Sequence, residues 1–227
     1  MFESEDFAWV SSRMPVTIRH LYNSALSGYQ YNGNSGIQLN AADFSAMKLG
    51  YGWKLNIMQS MTQVDSGYVH VGENGEETYF KRNGSVYEAV DDSEVIFTPA
   101  TGELTMGSEV HRFDSAGRLI NITDAYDNSM NITYSSGRIA TVTDGAGRVF
   151  AFGYNTSGFL TSILAPDCTQ ITYTYSGNLL RSVIYPDGTQ AIISYASNKP
   201  VSVVVQDADD NAVIRWRTPL TATGWPP

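Results

Sequence analysis

The chain has 227 residues, of which 42% are hydrophobic and only 16% charged, and its formal net charge is −9. That length and apolar content suit one or two domains with a buried core and exclude a disordered chain. The negative balance and the absence of any Lys/Arg run exclude a nucleic-acid groove or an anionic membrane surface as partner, because both demand dense positive charge.

The first residues, Met1 to Trp9, carry Glu3, Glu5 and Asp6 without a basic or apolar segment, so no secretory signal is read there; no apolar run elsewhere reaches a membrane span. Strand character follows in Pro15 to Tyr22, Tyr51 to Val64, Gly67 to Val71, Glu76 to Lys81 and Glu94 to Thr98. Turns are expected at Glu73-Asn74-Gly75, Asn83-Gly84 and Thr101-Gly102, the first two being Asn-Gly hairpin signals. Between them, Gly28 to Gly50 is richer in small and polar residues, and Asn40 to Asp43 reads as a short helical turn. Residues 1–112 are thus predicted to be a non-periodic β region.

From residue 113 a period of 20 or 21 takes over. Aromatics close successive strand-like runs at Phe113, Tyr134, Tyr154, Tyr175, Tyr195 and Trp216. Two apolar ladders keep the same period: Leu119, Ile139, Leu160, Leu180 and Val201, and Ile122, Val142, Ile163, Val183 and Val204. A fixed period in this range marks small units that bury their apolar faces only against neighbours. One unit shows the build: Arg138 to Thr143 is a strand, Asp144-Gly145-Ala146-Gly147 a turn, Arg148 to Tyr154 a second strand, and Asn155 to Gly158 a turn into the next. Each unit is therefore a β-hairpin, with equivalent turns at Asp124 to Asn128, Pro166-Asp167, Pro186-Asp187-Gly188 and Asp207 to Asn211.

Alternation in the second strand, as in Met130/Ile132/Tyr134, Phe150/Phe152/Tyr154, Ile171/Tyr173/Tyr175, Ala191/Ile193/Tyr195 and Ile214/Trp216, predicts one buried face. In the first strand Ile139 and Val142 are three apart, which requires a bulge or burial on both faces. The fold class is all-β: antiparallel hairpin repeats over 113–216 forming a curved, twisted sheet, with 217–227 a tail. Gly224-Trp225-Pro226-Pro227 reads as a cut in a longer array.

Residues able to carry chemistry are few. His20, His70 and His111 lack Cys or acidic partners at metal spacing and are read as satisfied surface histidines. Cys168, the only cysteine, sits in a repeat turn without an adjacent base, and it can form neither an intrachain disulfide nor a thiolate cluster. Asp207, Asp209 and Asn211 begin like an oxygen-ligand calcium loop, but Ala212 stands where glycine is needed and Thr218 where a bidentate glutamate is needed. The repeat tyrosines are read as core rather than as sugar-stacking platforms, while Trp53 and Trp225, outside the ladder, are freer to bind something. No nucleophile, base or metal constellation is assembled, and no cofactor is implied.

The units Gly117-Arg118-Leu119 to Asp124 and Gly137-Arg138-Ile139 to Asp144, each with its aromatic, resemble the YD repeats of Rhs proteins. Upstream, Val16-Thr17-Ile18-Arg19 with Tyr22-Asn23-Ser24, and then Gly50-Tyr51-Gly52-Trp53-Lys54-Leu55-Asn56, resemble the strand and the Gly-x-Gly-Trp segment that open the Rhs repeat region, so the resemblance covers roughly residues 15 to 216. Units from Leu160 onward depart from it: Gly158 is followed by Phe159, Gly177 by Asn178, and Lys199-Pro200 replaces Gly-Arg. The resemblance implies a non-catalytic, secreted or cell-surface bacterial protein whose hairpins spiral into a hollow shell around a C-terminal toxin or effector. The expected partners are therefore downstream repeats and that effector. A module binding cell-surface or cell-wall carbohydrate is the alternative.

Each hairpin extends such a wall by about 10 Å, and accumulated twist curls it. Five units cannot close, so a curved patch with unpaired edges is expected.

Overall fold

Local turn chemistry sets the strand order. In the computed structural model, which describes residues 2–9, 13–23 and 47–217, five-residue turns begin with an Asp or Asn whose Oδ1 accepts two backbone N–H groups. At Asp144 these come from Ala146 (2.9 Å) and Arg148 (2.8 Å), and Asp114, Asp124, Asn155 and Asp207 repeat the arrangement. Such Asx turns reverse the chain without help from distant residues.

The strands are β1 (Phe2–Trp9), β2 (Val16–Tyr22) and β3 (Trp53–Leu55), which form a three-stranded sheet. Then come β4 (Ser60–Val64), β5 (Gly67–Val71), β6 (Glu77–Asn83), β7 (Val86–Ala89), β8 (Ile96–Thr98), β9 (Glu103–Met106) and β10 (Glu109–Phe113). The repeats supply β11 (Leu119–Thr123), β12 (Ser129–Ser135), β13 (Arg138–Thr143), β14 (Val149–Tyr154), β15 (Leu160–Leu164) and β16 (Gln170–Ser176). The last are β17 (Leu179–Ile184), β18 (Gln190–Ala196), β19 (Lys199–Gln206) and β20 (Ala212–Arg217). No helix occurs among the described residues, and the helical turn expected at Asn40 to Asp43 lies outside them.

From β4 to β20 every strand pairs antiparallel with its predecessor, so the non-periodic region and the repeats share one ladder through β10. The spacing of Ile139 and Val142 is resolved by a bulge. Thr133 faces Thr141 and Tyr134 faces Ile139, leaving Ala140 extra. Ile120, Thr161, Arg181 and Val201 are the extra residues of the other hairpins. The bulge returns both apolar side chains to one face and adds twist once per repeat, which is what curves the sheet.

It also corrects the expected ladders. In the fifth unit Tyr195 faces Pro200 and Ile193 faces Val203, so these, rather than Val201 and Val204, are the buried members.

The large sheet stays open. Among the described residues no ladder joins β20 to β4; instead the curl brings the sheet's start back onto its own middle, where Ser60 bridges Arg118. The inner face of this curved, open sheet is filled. Val16, Ile18, Trp53, Leu55 and Ile57 share one core with Ile132, Val142, Phe150, Ile163, Ile171 and Leu180, all at most 4% exposed. Each such side chain contributes about 1.5–3 kcal/mol on burial.

Segment 47–61 covers one rim of the repeats, through Lys48 N–H to Gly158 O (3.0 Å), Tyr51 N–H to Asn178 O (3.0 Å) and Met61 N–H to Gly117 O (2.8 Å).

Candidate functional site

Tyr22, Asn23, Gly50, Gly52 and Trp53, all singled out by the sequence, lie together where the upstream region meets the repeats at Leu180 and Tyr195. Trp53, at the start of β3, is fully buried; its Nε1–H donates to Tyr195 Oη (2.9 Å), and Tyr195 Oη donates to Leu180 O (2.8 Å). Trp53 is thus a core link rather than a free binding residue. Tyr22 packs on it with ring centroids 5.4 Å apart, and Asn23 N–H donates to Gly52 O (2.8 Å). Gly50 and Gly52 both have positive φ (102° and 75°), and a Cβ on Gly50 would stand 2.8 Å from Leu180 N, so this segment needs glycine twice. Ser24, Trp225 and the side chain of Trp216 lie outside the described part.

The repeat aromatics share one construction. Tyr134, Tyr154, Tyr175 and Tyr195 are partly buried against the core, and the hydroxyls of Tyr134, Tyr175 and Tyr195 donate to the carbonyls of Leu119 (2.8 Å), Leu160 (2.6 Å) and Leu180 (2.8 Å). Each bond reaches fifteen residues back and ties a second strand to the start of the strand before it. Phe113, lacking a hydroxyl, is buried against His70, with rings 5.6 Å apart. Burial pushes the Tyr154 and Tyr195 hydroxyls well above the ordinary tyrosine range, and Tyr185 up to about 12.

Arg118 covers the face of Tyr134 (4.6 Å) and Arg138 that of Tyr154 (5.6 Å). Where Gly-Arg gives way to Gly-Phe, Phe159 packs on Tyr175 at 4.7 Å and Lys48 Nζ lies over Phe159. At Gly-Asn, Asn178 takes Tyr51 N–H on its carbonyl. Both departures from the repeat pattern are therefore docking points for segment 47–51.

All three histidines are buried, which corrects their reading as surface groups: His20 is 0%, His70 5% and His111 5% exposed. His20 Nδ1 lies 2.6 Å from Asp6 Oδ1, whose Oδ2 accepts from Tyr173 Oη (2.6 Å). This polar triad pins β1 and β2 to β16. His70 and His111 converge on Gln59, and Lys54, fully buried, donates from Nζ to Gly72 O and Glu73 O. Its ammonium is pushed down to about 7 by desolvation, partly offset by Glu76 and Glu73.

Lys54 and Gln59 are signalled in the sequence only in part, as polar residues inside the strand-like stretch Tyr51 to Val64, and Asp6, in an acidic segment, is not signalled at all. Cys168 is exposed in its turn. Asp207 Oδ1 is occupied by the amides of Asp209 (3.0 Å) and Asn211 (2.8 Å), the same turn geometry as at Asp124, so the turn itself accounts for Asp207, Asp209 and Asn211. Among the described residues no group of three or more His, Cys, Asp or Glu could hold a metal ion. A cavity of about 530 Å³ lies between Met61, Tyr68, Phe97 and Phe113, of which Phe97 and Phe113 are buried and Tyr68 partly buried.

Similar solved structures include the crystal structure of TcdB2-TccC3 with Cdc42, at 13% identity and a TM-score of 0.40, covering 95% of this chain and 14% of that one. The Photorhabdus luminescens Tc holotoxin pore gives 13% identity, a TM-score of 0.39 and the same coverages. The chain thus spans about 14% of the length of these structures. Comparison with curated proteins gives no match. The teneurin YD-shell family matches residues 74–214, more than half of the sequence, and the chain belongs to that family.

Proposed function

We propose that this chain is a non-catalytic wall panel of a YD-repeat shell which, with further repeats of a longer protein, encloses or presents a C-terminal effector or toxin domain of a secreted or cell-surface bacterial protein. The structural shell role follows from the family itself. The observation that carries the finer reading is the ladder from β4 to β20, bulged once per repeat hairpin at Ile120, Ala140, Thr161, Arg181 and Val201. A sheet that gains twist at fixed intervals grows by adding hairpins and curls as it grows, which is the mechanical requirement for a container.

The test is limited proteolysis of the native gene product with intact-mass readout. A resistant downstream segment, released only after the repeats are cut, is the expected result. A product without any protected segment beyond the repeats would refute the enclosing role.

A further inference from the structure

The seam where the curl meets itself is built on titratable groups. Its backbone contacts are Met61 N–H to Gly117 O (2.8 Å), Leu119 N–H to Gln59 O (3.4 Å) and the Ser60–Arg118 bridge. Gln59, 7% exposed, turns its side chain inward, where Oε1 accepts from His70 Nε2 on β5 (3.1 Å) and His111 Nδ1 on β10 (3.3 Å). One carbonyl oxygen has two lone pairs and holds two neutral imidazoles. His111 then presents an unprotonated Nε2 to Glu109 Oε2 at 3.3 Å, a contact of two acceptors that becomes a hydrogen bond once the ring takes a proton.

A charged His111 stands beside His70, and the buried Lys54 ammonium also acts on His70. Glu109 and Glu73 are the anions acting on His111, and Glu76 and Glu73 those acting on Lys54. Glu109 is half exposed, so it compensates a proton on His111 in part and one on His70 not at all.

We propose that this seam is an acid-sensitive latch: it is shut while His70 and His111 are neutral, and protonating both sets two like charges around one buried oxygen beside Lys54, which lifts the start of β4 from the Gly117–Leu119 turn.

Desolvation is the first cause holding both rings below the ordinary histidine value, and it takes His70 down to about 3. A histidine depressed in the closed state stabilises it fully above pH 6.5 and loses that contribution as the pH falls below 6.5. The inference is independent of any enclosed effector.

The test is hydrogen exchange of the whole chain at pH 7.5 and 5.0, corrected for intrinsic rates. Protection of the Met61 and Leu119 amides is expected to fall at least about tenfold more than that of the β13–β14 ladder, one pKa unit of differential binding being a factor of ten. In H70Q/H111Q the response should vanish. Should that variant not fold, E109Q, at a half-exposed position, should move seam opening to higher pH by removing the anion that stabilises a proton on His111 in the closed state. Equal loss of protection at the seam and in β13–β14, an unchanged response in H70Q/H111Q, or an unmoved midpoint in E109Q overturns the latch.

Discussion

Strands β11 to β20 and the residues upstream of them lie in contact but are stabilised differently. The repeats bury aliphatic and aromatic side chains at a fixed period, and most of their polar residues are spent on turns and on the outer face, where Thr133 meets Thr141 at 2.7 Å. The upstream region has no period and buries Asp6, His20, Lys54, Asn56, Gln59, Ser60, His70 and His111; among the described residues the repeats add only Asp144 and Ser182 to the buried polar residues. A repeat can be extended by copying because each unit presents the same apolar face. The segment that fills and starts the array must be unique, and paired polar groups inside a core fix one arrangement at the cost of strict hydrogen-bond demands.

Breaking the joint between the two regions should have the largest effect. Trp53→Ala removes a fully buried ring and the donor to Tyr195, and is expected to cost about 3–5 kcal/mol in denaturant unfolding. A loss below 1 kcal/mol, on the order of a single hydrogen bond, would show that the repeats do not need the upstream core. Next comes Lys54→Met. The wild-type lysine is depressed from 10.5 to about 7, so the folded state gains stability as the pH rises from 7 towards 10.5. About 2 kcal/mol of that rise between pH 7 and 9 should disappear in the variant. Parallel pH profiles for the two proteins would mean that Lys54 is not held as described.

Asp144→Ala sharpens the comparison inside the repeats, because this buried carboxylate serves two turn amides and Arg148; about 2 kcal/mol is expected. Tyr175→Phe deletes the bond to Leu160 O, a loss of about 1 kcal/mol by thermal or chemical unfolding. The smallest effect should come from the exposed turn at Asp207: millimolar calcium should leave the melting temperature unchanged, and a rise would restore the calcium loop.

The contrast also explains what was legible in the sequence. Hairpins, turn positions and the inward face of each second strand could be read because Asx turns and alternation are local. The bulge could not be assigned, since which residue is extra depends on the partner strand; Val201 and Val204 kept the period of the ladders, while pairing buries Pro200 and Val203. The polar core was hidden for a related reason: nothing near His70 in sequence announces Gln59, and nothing near His20 announces Tyr173. Phe159 and Asn178, departures in a list of repeats, are explained only by a segment more than a hundred residues upstream that docks on them.

The central claim is that the upstream segment and the repeats form one cooperative core joined at Trp53 and Tyr195. A double-mutant cycle of Trp53→Phe and Tyr195→Phe in denaturant unfolding tests it most directly. A coupling energy of about 1 kcal/mol within a single cooperative transition is expected. Additive losses, or two separate transitions, would contradict it.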